Sequence, residues 1–167
     1  MTILRGRLTH HHDAEVAVLL IGMRVNRWWR VDLWLPTFLA MPRMLAELER
    51  NRVAAGRGEA EHLGYLGART LFGAGGPTVV QYWRSTADIY RYARSPAQSH
   101  RAAWAAFNSR ARRAAGAVGI WHETYAVPAG AQESIYVGMP PTGLARATGG
   151  PVPVTPANRR QASLRQG

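Results

Sequence analysis

The sequence contains no cysteine and no lysine among its 167 residues. Without cysteine, disulfides, thiolate metal ligands and thiol nucleophiles are excluded, which agrees with a reducing compartment. Without lysine, the positive charge rests on arginine: 21 basic against 10 acidic residues leave a formal charge of +11. Long hydrophobic runs are missing too. The longest, VAVLLIGM (Val16 to Met23), is far too short to span a bilayer. The opening stretch MTILRGRLTHHHDAE has no apolar segment of signal length. These absences predict a soluble, cytoplasmic protein with no membrane partner. A strongly basic chain invites an anionic partner, nucleic acid included. The arginines are scattered, however, with short clusters only at Arg110, Arg112 and Arg113 and at Arg159 and Arg160. No helix-turn-helix pattern, zinc-finger spacing or aromatic RNP motif accompanies them, so nucleic acid is not the expected partner.

What is present reads as one domain with flanking segments. Residues 1–13 read as a polar arm, in which His10, His11 and His12 are solvated. Residues 15–25 (EVAVLLIGMRV) read as a strand apolar on both faces. An arginine- and tryptophan-rich loop (NRWWRVD) follows. A helix is expected from about Leu33 to Arg50, capped by Asp32, with Phe38, Met41, Leu45 and Leu48 as its apolar stripe. Pro42 should kink it or start a second segment. Residues 62–72 and 77–84 form two strands joined by the glycine-rich GAGG, a hairpin signal. A short helix opens at Thr86. SPAQSHRAAWAAFN then starts a helix with Ser95 as cap, Pro96 in the first turn and Gln98 three residues after the cap. It runs to about Ala115 and sets His100, Trp104, Phe107 and Ala111 on one stripe. VGIWHETYAV (118–127) alternates as a strand, and SIYVGM (134–139) is a further short one. From Pro140 to Gly167 the chain is rich in Pro, Gly and Arg and reads as a tail that wraps locally and then frays.

Strand, helix, two strands, helix, strand is the order of a ferredoxin-like α+β unit, an antiparallel sheet with helices on one face, here spanning residues 14–139. Because the first strand is apolar on both faces, the side without helices must also be covered. With no internal repeat to supply a cover, a second copy packed sheet against sheet in a homodimer is the expected solution.

The motifs GMRVNRWWRVDLWLPTFLAMPRML, VVQYWRS, YARSP…H…AW…FN, GIWHETY and YVGMPP.GL, in that order over about residues 15–148, resemble a family of small actinobacterial and fungal proteins. That family is grouped with a fumagillin-pathway polyketide monooxygenase, inside the dimeric α+β barrel superfamily of antibiotic-biosynthesis monooxygenases. The resemblance implies a ferredoxin-like dimer with a cavity between sheet and helices. It also implies oxidation of a small molecule in secondary metabolism. Superfamily members oxidise either without a cofactor, through a substrate carbanion that meets oxygen, or with haem held by a histidine on the second helix.

Four groups of residues could carry such chemistry. His100 is an axial haem ligand by the resemblance; on the residues alone it is a buried structural histidine, a general base or a substrate contact. His122 shares a strand face with Ile120 and Thr124 and is either a general base or a cross-strand hydrogen-bonding residue. Arg24, Asn26 and Arg27 could hold an enolate, or the propionates of haem, or be a solvated loop. Trp28, Trp29, Tyr82, Trp83, Trp104 and Phe107 are candidates for the substrate pocket. Tyr82 and Trp83 point to opposite sheet faces, so one of them should reach the cavity, with core packing as the alternative. Six tryptophans argue for an apolar, stacking pocket. The expectation is a monooxygenase-like oxidoreductase acting on an apolar or aromatic small molecule. A haem enzyme of the same fold and a non-catalytic small-molecule binding protein are the alternatives.

Overall fold

The structure, a computed structural model, describes residues 2–73, 75–95, 116–156 and 158. The described residues form β1 (Arg7–Thr9), β2 (Val16–Val25), α1 (Val31–Gly56), β3 (Tyr65–Gly73), β4 (Gly76–Trp83), α2 (Thr86–Arg94), β5 (Val118–Val127), β6 (Tyr136–Val137), α3 (Gly143–Ala147) and β7 (Val152–Pro153). The helix expected from Ser95 to Ala115, with His100, Trp104 and Phe107, lies outside them.

β2 is the centre of the fold because its residues suit a strand buried on both sides. It pairs antiparallel with β4 and with β5, and β3 pairs antiparallel with β4, giving a four-stranded sheet in the order β3-β4-β2-β5. The architecture is α+β, and the strand order is the one a ferredoxin-like unit requires. On one face, Ala17, Tyr65 and Trp83 pack with Leu48 of α1 and with Ile89 and Tyr92 of α2. Burying one such leucine or aromatic side chain contributes about 1.5–3 kcal/mol. On the other face, Val16, Val80 and Tyr82 meet Leu144 and Ala147 of α3. The segment expected to be a tail thus covers part of the face assigned to a second copy.

α1 runs over 26 residues and contains both Pro36 and Pro42, so Pro42 does not divide it. An interior proline costs a helix about 3 kcal/mol. Here Leu33, Met44 and Leu48 are buried along one side of the helix, and that packing outweighs the loss. Asp32 is not the cap; Arg30 holds that position without a side-chain cap bond. Asp32 lies in the first turn, with its carboxylate paired to Arg30 at 2.7 Å, where it also complements the positive end of the helix dipole.

A second sheet, in the order β6-β1-β7, joins the two ends of the described chain. Leu8 lies opposite Tyr136 on one side and Pro153 on the other. This corrects the reading of His10 as solvated. Leu8, Thr9 and His10 are all buried, His10 with no exposed surface.

Candidate functional site

α1 starts shortly after β2 ends and runs back across the sheet until Leu48 reaches Ala17. Its sheet-facing stripe is read from the buried residues Leu33, Met44 and Leu48; at helical spacing Thr37 falls between them. The Thr37 hydroxyl oxygen is buried and has no hydrogen-bond partner among the described residues. A buried polar group left unpaired costs about 1–3 kcal/mol, which singles Thr37 out on this stripe. Next to it on the helix, Trp34 and Phe38 meet edge to face, 6.4 Å between ring centres. The Trp34 indole N–H donates to the Trp28 carbonyl at 2.9 Å, which fixes the loop entering the helix. Sequence reading passed over Trp34 and Thr37. A threonine on an apolar stripe carries no motif, and only its burial singles it out.

The register places the facing wall. Across the sheet, His122, Ile21 and Val79 share one row, and Thr124, Leu19 and Gln81 the next. Leu19 packs into the core formed with α1 and α2, so by strand alternation Ile21, His122 and Thr124 point to the helix side. His122 is exposed on the edge strand β5. Gln81 is buried and accepts from the Trp83 indole N–H at 2.9 Å. Trp83 itself is core. It is 1% exposed and is clasped edgewise by Tyr65 and, tilted, by Tyr92, both with ring centres 5.6 Å away.

The other candidates lie elsewhere. Asn26 donates from Nδ2 to the Gly116 carbonyl at 2.9 Å and accepts from Arg24 Nε at 3.0 Å. Its backbone N–H, like that of Arg27, donates to the Ala117 carbonyl. Asn26 therefore ties the end of β2 to the entry of β5. It is five residues from Ile21, the cross-strand neighbour of His122, or about 17 Å along a strand. Asn26 and His122 do not converge on one small group. Trp28 and Trp29 are 75% and 61% exposed and meet edge to face at 6.1 Å. Tyr82 is buried on the opposite side of the sheet, where burial pushes its phenol up. A Cβ built on Gly143 there would lie 3.4 Å from the Tyr136 hydroxyl, 3.5 Å from that of Tyr82 and 3.8 Å from Arg69 Nη1. Trp121, on the same side, covers Gly22, and the Tyr125 hydroxyl donates to Glu123 at 2.7 Å.

Among the described residues no group of three His, Asp or Glu side chains could hold a metal ion. The haem alternative has its ligand, His100, outside the described residues, and Arg24 is turned onto Asn26. What the described residues supply on the helix side of the sheet is a buried hydroxyl on α1, the aromatic pair Trp34 and Phe38 beside it, and an exposed imidazole on the edge strand.

No curated protein matches the sequence. Among solved structures, the chain is similar to a conserved protein of unknown function from Bacteroides thetaiotaomicron, described as a possible oxidoreductase. Identity is 8%, coverage is 69% of this chain and 99% of that one, and the TM-score is 0.44, a likeness too slight to carry an argument. Residues 16–144 match the sequence model of the monooxygenase af470-like family. The match begins at the first residue of β2, ends inside α3 and takes in the whole four-stranded sheet with α1 and α2. The chain belongs to the monooxygenase af470-like family, which places it among oxidoreductases.

Proposed function

We propose that the protein is a monooxygenase-like oxidoreductase that oxidises an apolar or aromatic small molecule in a slot between α1 and the sheet. The observation that carries this reading is the buried Thr37 hydroxyl with no partner among the described residues, on the sheet-facing stripe of a helix that also bears Trp34 and Phe38. An aromatic substrate carrying a phenol or ketone would fill the slot and bond that hydroxyl. His122, on the helix side of β5, would take a proton from the substrate. The resulting carbanion donates its electrons to molecular oxygen, and the peroxide formed loses water. A methylene plus O₂ becomes a carbonyl plus H₂O, so one oxygen atom enters the product. Secondary metabolism is the setting to which such a substrate belongs.

A homodimer completes the proposal. On the face opposite α1, Leu71, Trp121 and Tyr125 are exposed, while α3 covers only the part around Val80 and Tyr82. A second copy applied there would bury the remainder.

The test is oxygen uptake with mass analysis of the product over a panel of polycyclic phenols. Substrate-dependent uptake with one oxygen atom incorporated is expected. His122→Ala should lower kcat by at least about 100-fold, the usual contribution of a general base. Tight binding with no oxygen consumed would overturn the reading in favour of a carrier. A Soret band in the purified protein, lost in His100→Ala, would move the oxidation to iron. Light scattering should give about twice 18.4 kDa.

A further inference from the structure

We propose that Trp28, Trp29 and the outer stripe of α1 form a docking surface for an anionic lipid bilayer. This goes beyond the oxidoreductase reading and does not depend on it.

Val31, Leu35 and Leu39 are 45%, 36% and 41% exposed. They recur every four residues and so make one outward stripe of α1, opposite the buried residues Leu33, Met44 and Leu48. At the head of that stripe stand Trp28 and Trp29, the two most exposed tryptophans among the described residues. Their loop is held rigid by the bond from Trp34 to the Trp28 carbonyl and by the bonds of Asn26 and Arg27 to Ala117. A soluble surface gains nothing from presenting two indoles and three aliphatic residues on a fixed support. Such side chains are stabilised at the boundary between headgroups and acyl chains, where an indole buries its ring and keeps its N–H wet.

Charge identifies the occupant. From Arg24 to Arg43 the chain carries four arginines and a single acid, Asp32. Arg30 and Asp32 neutralise one another in an ion pair. Arg24, Arg27 and Arg43 are exposed and form no ion pair among the described residues. Arg43 continues the 31–35–39 spacing, so the stripe ends in a cation. A second copy of the chain would set arginine against arginine here, whereas phosphatidylserine headgroups complement them. This is a surface that lies on a membrane. No helix among the described residues is long and apolar enough to cross one, and the expectation of no membrane partner had weighed only spanning segments.

Co-sedimentation of the full chain with vesicles of phosphatidylcholine, with and without phosphatidylserine, tests this. Binding is expected to the anionic vesicles and to weaken with added salt. Arg27→Ala should weaken it about fivefold, and Trp28→Ala with Trp29→Ala about tenfold or more. Leu35→Gln, at an exposed helix position, should act in the same direction with unchanged circular dichroism, which separates docking from folding. Failure to pellet with anionic vesicles would overturn the proposal. So would undiminished binding by the double tryptophan variant, or a dimer that the double variant splits into monomers, since the patch would then face a second copy.

Discussion

The His10 imidazole Nδ1 lies 2.7 Å from the Ser134 hydroxyl, across 124 residues of chain, and the His10 backbone N–H donates to the same oxygen at 3.1 Å. The pair clasps the end of β1 to the segment just before β6. Burial pushes the His10 pKa below 6.5, and neighbouring His12 adds to the effect; Gln132 and Asp13 oppose it without cancelling it. The folded protein therefore refuses a proton that the unfolded chain accepts near pH 6.5. Stability from this group is fully present above that pH and is lost as pH falls below it. His62 is lowered as well, chiefly by burial, and acts in the same sense. Melting temperature should drop on going from about pH 7.5 to pH 5. His10→Gln should show a shallower drop, with the remaining slope set by His62. Equal slopes in the two proteins would show that the clasp does not titrate.

Thr37→Val separates stability from function at the candidate slot. The substitution keeps the shape of the side chain and removes a buried oxygen that has no partner among the described residues. Urea denaturation should show a gain of about 1 kcal/mol. If the hydroxyl serves a substrate, KM should rise several-fold in the same protein. A loss of stability would mean that the hydroxyl has a partner within the fold.

Much of the sheet was legible because its physics is local. A run apolar on both faces over residues 15–25 and alternation from Val118 to Val127, with glycines between the two runs at 62–72 and 77–84, place all four strands. The split of Tyr82 and Trp83 onto opposite faces follows from the period of a strand, and the two core clusters bear it out. β1 and β7 escaped notice because strands of three and two residues have no period to read. His10 escaped for a related reason: in the run Thr9 to Asp13 nothing marks one histidine as buried, and its partner Ser134 is far away in sequence. The stripe of α1 was read at Phe38, Met41, Leu45 and Leu48; Leu48 is buried and Leu45 packs against the core, but the other buried positions are Leu33 and Met44 rather than Phe38 and Met41. Where a helix meets its sheet is decided by packing, and periodicity fixes only the spacing of the stripe. Thr37 is the clearest case, since an unpaired hydroxyl exists only once the chain around it has folded.

The hairpin between β3 and β4 depends on one glycine. Gly76 has φ +105°, and a Cβ there would lie 2.1 Å from the Met23 carbonyl oxygen, a backbone atom that cannot turn aside. Gly76→Ala should cost about 3 kcal/mol or more, combining backbone strain with displacement of β2. Gly73, across the same turn, has open space around it, and Gly73→Ala should change stability by less than about 1 kcal/mol. Thermal denaturation of the two variants checks the contrast, and similar melting temperatures would remove the argument for close approach at Gly76.

Deleting residues 151–167 tests whether the C-terminal segment belongs to the fold. The sequence alone suggests that such a truncation leaves folding intact. In the structure the deletion removes β7, which lies against Leu8 and Thr9 of β1, together with the Val154 N–H that donates to the Arg7 carbonyl at 3.0 Å. Net contributions of about 1 kcal/mol per hydrogen bond put the loss at roughly 2–3 kcal/mol, or about 5–10 °C in melting temperature for a domain of this size. The loss should be local. β2 keeps both of its neighbours in the four-stranded sheet, whereas β1 keeps only β6. Hydrogen exchange should therefore show amide protection lost at residues 7–9 and retained along β2 and β4. Because His10 follows directly on β1, its clasp to Ser134 should loosen in the same variant and flatten the acid-side fall in stability. An unchanged melting temperature would show that β7 contributes no stability and that the arm is held by β6 and the His10–Ser134 bond alone.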